Sequence, residues 1–134
     1  MNQDEQQLDL LSIFHYIVGG INALFSCFPF IHLALGIAML CGGFGEDEPP
    51  AFLGWIFTVI PAVLILSGWA LSALMILAGR NLKRRAAYTF CLVVAASECI
   101  LIPFGTVLGV LTLIVLTRES VKKIFEEKKA PAVL

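Results

Sequence analysis

The sequence predicts an all-α integral membrane protein with four transmembrane helices packed as a bundle, plus a C-terminal amphipathic helix. Hydrophobic residues make up 59% of its 134 positions and charged residues 14%, whereas soluble domains are closer to half apolar and a quarter charged. Residues 51–79 contain no charged side chain, which is long enough for a membrane span. All nine Lys and Arg fall in two clusters: Arg80, Lys83, Arg84 and Arg85, then Arg118, Lys122, Lys123, Lys128 and Lys129. The acidic run Glu46, Asp47, Glu48 stands apart from both. Because orientation follows Lys and Arg, both clusters and both termini are predicted in the cytoplasm and the acidic loop outside.

The N-terminus, MNQDEQQLD, is acidic and lacks the basic n-region of a cleaved leader, so the first apolar segment is expected to remain in the mature protein. That segment, about 10–41, exceeds the roughly 30 Å hydrocarbon core as one straight helix. Leu8, Leu11, Phe14 and His15 fit an amphipathic start at the inner surface with Tyr16 at headgroup level, and Pro29 offers a kink. The stretch GGFGEDEPP at 42–50 breaks the helix and starts the next. The second span, 51–79, carries Phe52 and Trp55 for the outer aromatic belt and Pro61 as a tolerated kink.

Residues 86–117 are bracketed by basic residues and hold IPFGT near their middle. One helix there would place a basic cluster outside, so a hairpin with arms at 86–101 and 104–117 is predicted. Pro103 and Gly105 make the turn and Thr106 can satisfy freed backbone groups. Each arm is only about 24 Å long, so the hairpin must tilt little or thin the bilayer. From Arg118 the helix is expected to continue over 118–129, with Val121, Ile124 and Phe125 on one face and Glu119/Lys123 and Lys122/Glu126 as i,i+4 pairs. Such a helix suits an anionic lipid surface or a protein partner, or is a solvated helix end followed by a free APAVL tail.

No catalytic constellation, zinc spacing, phosphate loop or nucleic-acid module is present, so neither enzyme activity nor a cofactor is predicted. The four cysteines form no CxxC pair and read as small hydrophobes. Haem would need two axial ligands, yet His15 and His32 lie seventeen residues apart, about 25 Å along one helix.

Glu98 is the one acidic residue inside an apolar run, and ionisable groups in lipid are candidates for function. It could pair with His32 or line a polar cavity, or it could snorkel, since it sits about one turn from IPFGT. Asn22 and His32 complete the intramembrane polar candidates. Gly68 with Ser72 and Gly105 with Gly109 are small-xxx-small faces for helix packing, within the chain or in a homo-oligomer.

Two stretches, LLSIFHYIVGGINALFSCFPFIHLALGIAML and YTFCLVVAASECILIPFGTVLGVLTLIVLTRESVKKIF, resemble a group of small uncharacterised bacterial membrane proteins. The resemblance is most specific in PFGTVLGVLTLIVL and RESVKKIF. It implies a bacterial inner-membrane location and no particular activity. The expected function is that of a non-enzymatic accessory or scaffolding subunit. The alternatives are an oligomeric channel or transporter using Glu98 and His32, and a haem-binding membrane protein.

Overall fold

The computed structural model describes residues 2–47 and 49–129, with Glu46 as backbone only. Glu48 of the acidic run and the 130–134 tail lie outside the described residues. Helix α1 runs Gln3–Phe25, α2 Phe30–Leu40, α3 Ala51–Arg84, α4 Tyr88–Glu98, α5 Phe104–Leu116 and α6 Glu119–Lys129. Among the described residues there is no strand. Two stretches are long and apolar enough to cross a membrane, Gln3–Leu40 and Ala51–Arg84. Helices α5 and α6 make a third only if they are taken together across their 74° bend.

Local chemistry sets most boundaries. Pro29 has no N–H to return to Phe25, and the chain crosses from α1 to α2 through short-range bonds such as Cys27 N–H to Leu24 O and Phe28 N–H to Phe25 O. After Pro49 and Pro50, α3 opens with Leu53 N–H bonded to Pro50 O at 2.9 Å. It continues past the expected end at 79 to Arg84, because Leu82 is fully buried and Lys83 and Arg84 are good helix formers that remain exposed.

The hairpin arms are shorter than the sequence predicts. Helix α4 stops at Glu98 because Ile100 and Leu101 donate to carbonyls only three residues back, Ser97 and Glu98, before Pro103 ends any continuation. The Thr106 hydroxyl then bonds Cys99 O at 2.9 Å, returning one of the carbonyls freed by the turn.

The chain divides into two compact units, and the division falls within α1 and α3. Among the described residues, unit 1 comprises 2–20 and 73–129. Its core is Leu8, Met75, Ala78, Leu82, Cys91, Ala95, Leu116 and Val121, all fully buried. Helices α4 and α5 run antiparallel, as the pairs Tyr88/Leu116 and Ala95/Gly109 show. Their approach is close: a Cβ on Gly109 would sit 2.5 Å from Ala95 O and 3.0 Å from Cys99 N. Gly105 faces Leu101 and Glu98 O in the same way.

Unit 1 gathers charges at the other end of this hairpin. Arg85 pairs with Asp9 at 3.3 Å, Arg118 with Asp4 at 3.5 Å, and Arg118 Nη1 donates to Gln7 Oε1 at 2.9 Å. The acidic start of α1 therefore neutralises part of both basic clusters. Helix α6 is fixed by Val121 and Phe125, both buried, with the Phe125 ring edge-on to Tyr88 at 5.6 Å.

Unit 2 comprises residues 21–72. Gly36 of α2 lies against the α3 backbone, where a Cβ would meet Phe57 C at 2.5 Å. The outward faces of this unit are apolar, with Leu24 75%, Phe25 70% and Leu66 68% exposed. Such faces are compatible with a membrane location.

Candidate functional site

The buried face of α1 in unit 1 reads Leu8, Leu11, Ser12, His15, Gly19, the three- and four-residue rhythm of one helix stripe. Two of its five members are polar, and each has a specific destination. Ser12 Oγ donates to Gly79 O of α3 at 2.7 Å. Gly79 permits this approach, since a Cβ there would lie 3.0 Å from both His15 Cβ and Ser12 O.

His15 lies one turn further on and is fully buried, as is Glu98 near the end of α4. Imidazole Nε2 and carboxyl Oε1 are 3.1 Å apart. The other ring nitrogen, Nδ1, is 2.8 Å from Leu11 O. A carbonyl only accepts, so Nδ1 carries a hydrogen and is the donor there. Any hydrogen bond across the Nε2–Oε1 gap then needs one further proton, on either side of it. With that proton the pair is neutral overall, and without it a carboxylate would be alone in an apolar core, at a cost of several kcal/mol.

The contact is close in distance and poorly aligned, for neither Nε2 nor Oε1 meets hydrogen-bond geometry, and Oε2 has no partner at all. Distance makes this an electrostatic clasp, while its angles leave acceptor capacity unused. Glu98 is thus the least satisfied buried polar group of unit 1, and such a group in a native core calls for an explanation.

Elsewhere in the core of unit 1, Thr112 of α5 is fully buried with its hydroxyl donating to Leu108 O at 2.7 Å. Cys91 lies buried on α4, its thiol 3.8 Å from Ala78 O. Both serve the backbone and present nothing to a ligand.

The other sequence candidates sit in unit 2. Asn22 Nδ2 donates to Gly68 O at 3.0 Å and to Ser72 Oγ at 2.8 Å, and Ser72 Oγ donates to Gly68 O at 2.9 Å. Gly68 also faces Ser26, whose hydroxyl bonds Asn22 O. His32 stacks on Phe57 at 6.2 Å, beside an apolar groove of about 310 Å³ that runs past Pro29, Ile60 and Pro61.

Glu98 therefore takes His15 as its partner, where the sequence reading offered His32 and placed His15 at the membrane surface. The missed signal was the α1 stripe, which carries Ser12 and His15 in phase with Leu8 and Leu11. Of the basic clusters, Arg85 and Arg118 hold acids on α1, while Arg84 and Lys122 line a cavity with Arg85. Arg80 is exposed, as are Lys83 and Lys123. The expected Glu119/Lys123 and Lys122/Glu126 pairs are not among the ion pairs of the described residues.

For metal chemistry, no group of three or more His, Cys, Asp or Glu comes together among the described residues. Of the His15 ring nitrogens, Nδ1 is bonded to Leu11 O and Nε2 faces Glu98 Oε1 at 3.1 Å.

No family model, no curated protein and no solved structure matches the chain. Fold and site together define a class: an all-helical protein with helices able to cross a membrane and a titratable pair buried between them. Any reading of function then rests on the geometry of that pair.

Proposed function

We propose that the protein is a non-enzymatic membrane scaffold or accessory subunit, held in shape by the His15–Glu98 clasp and presenting apolar helix faces to lipid and to partner helices. The observation carrying this reading is the 3.1 Å contact between two side chains that are both 0% exposed. A group that must conduct or transfer ions needs access to water, whereas a group that fixes helices needs burial.

In the bilayer, the termini and both basic clusters lie in the cytoplasm and the acidic loop outside, consistent with the pairing of Asp4 and Asp9 with Arg118 and Arg85. Segments 3–40 and 51–84 make full passes. Helices α4 and α5 form a shorter hairpin, since their 11 and 13 residues give only about 16 and 20 Å against a core of about 30 Å. Its tip carries exposed Ile100, Ile102 and Phe104, 80%, 85% and 69% accessible, and remains among acyl chains. Cysteines placed at Asp47, Ile102 and Lys129 in a thiol-free background test this: an impermeant reagent applied outside labels Asp47 alone. Labelling at Ile102 would mean that the hairpin crosses, as four full spans require.

The channel or transporter reading predicts the opposite of burial. Proteoliposomes containing the protein are expected to show no proton or potassium flux above empty vesicles. A flux abolished by Glu98→Gln would replace the scaffold reading with the transport one.

A further inference from the structure

The basic end of unit 1 encloses a cavity of about 610 Å³ between the end of α3, the start of α4 and helix α6. Five cationic side chains line it, Arg84, Arg85, Lys122, Lys128 and Lys129, against one acid, Glu126. Arg85 is occupied by Asp9, but Arg84, Lys122, Lys128 and Lys129 make no ion pair among the described residues. Its inner wall is of different character, with Tyr88, Phe90 and Phe125.

Backbone chemistry adds to the charge. Helix α4 opens on this cavity through Tyr88, Thr89 and Phe90, and its N-cap, Ala87, has no side chain able to cap. The first amides of α4 are thereby left to solvent or to a ligand at the positive end of the helix dipole. Concave shape, surplus positive charge and unused donors together specify an anion.

The surroundings specify which anion. Helix α6 departs from α5 at 74°, so with α5 along the membrane normal α6 lies close to the membrane plane. Its buried Val121 and Phe125 face the protein while Lys122, Lys128 and Lys129 remain exposed. A cavity that is cationic at its rim and aromatic inside, beside an in-plane helix, matches the junction of headgroup and glycerol. The geometry points to a headgroup site: this cavity receives the phosphodiester of an anionic membrane lipid, with Arg84 and Lys122 as its main charge partners. The inference uses the membrane placement proposed above but not the scaffold role, so flux from proteoliposomes would leave it standing.

The test is a titration of the purified full chain in neutral detergent, following its melting temperature with phosphatidylglycerol, with phosphatidylcholine and with inorganic phosphate. Phosphatidylglycerol is expected to raise it saturably, and the other two to leave it unchanged at the same concentrations. Arg84→Gln with Lys122→Gln should weaken the response about tenfold or more, as two lost surface charges imply. Lys83→Gln with Lys123→Gln removes the same charge from the same clusters outside the cavity, and should keep the wild-type response. Should Arg84 prove necessary for folding, Lys122→Gln with Lys129→Gln, both on α6, makes the same comparison. Equal losses in the cavity and control variants would reduce the effect to diffuse attraction and overturn the site. An equal response to inorganic phosphate, or no response to phosphatidylglycerol, would overturn it as well.

Discussion

Unit 1 and unit 2 meet one physical problem, joining packed helices through buried or half-buried polar groups, with different side chains. In unit 2 the joint is an amide: Asn22 gives both its hydrogens, to Gly68 O and Ser72 Oγ, and the hydroxyl closes the triangle. In unit 1 it is an acid and a base, His15 and Glu98, with one carboxyl oxygen unpartnered. The amide network is neutral whatever the pH and has no proton to lose. The acid–base joint instead leaves Glu98 Oε2 without a partner, so unit 1 carries the less satisfied of the two joints.

The largest expected effect comes from breaking the acid–base joint on one side. His15→Leu strands the Glu98 carboxyl in an apolar core and should cost about 3–5 kcal/mol, read from unfolding of the detergent-solubilised protein. A loss below 1 kcal/mol would mean the carboxyl finds water or another partner.

Steric joints come next. Gly109→Leu drives a side chain into the α4 backbone at Ala95 O and should cost about 1–3 kcal/mol. Unchanged stability would show that α4 and α5 separate freely.

The amide joint should be milder to break, because Ser72 keeps its bond to Gly68 O without Asn22. Asn22→Leu is expected to cost about 0.6 kcal/mol, the usual scale for hydrogen bonds between membrane helices. A loss matching that of His15→Leu would erase the distinction between the units.

The smallest effect is a gain. Ala87 has φ 51°, ψ 54°, the left-handed region in which a Cβ is strained. Ala87→Gly should therefore stabilise unit 1 by about 0.5–1 kcal/mol, visible as a higher melting temperature. Destabilisation would instead show that the α3–α4 turn relies on the restricted chain.

The helices were legible in the sequence because local rules set them. Pro29, the Pro49–Pro50 pair and Pro103 each remove a helical hydrogen bond where the chain turns, and the charge-free run at 51–79 belongs to a helix long and apolar enough to cross a membrane. Segment lengths were less legible, since Leu82, Lys83 and Arg84 extend α3 as good helix formers and Ile100 and Leu101 turn early. The site was half legible. Glu98 stands out as an acid among apolar residues, but its partner is 83 positions earlier, and nothing local joins Glu98 to His15 and not to His32. The acidic N-terminus carried a further signal, for Asp4 and Asp9 complement the basic clusters they meet.

The clasp is tested most directly by a double-mutant cycle on unfolding free energy with His15→Leu, Glu98→Leu and the two combined. If the residues act as one unit, Glu98→Leu removes the group that His15→Leu strands. The cost of His15→Leu, about 3–5 kcal/mol in the wild-type background, should then fall below about 1 kcal/mol in the Glu98→Leu background. Costs that simply add would contradict the account, because the two side chains would then be neighbours without being partners.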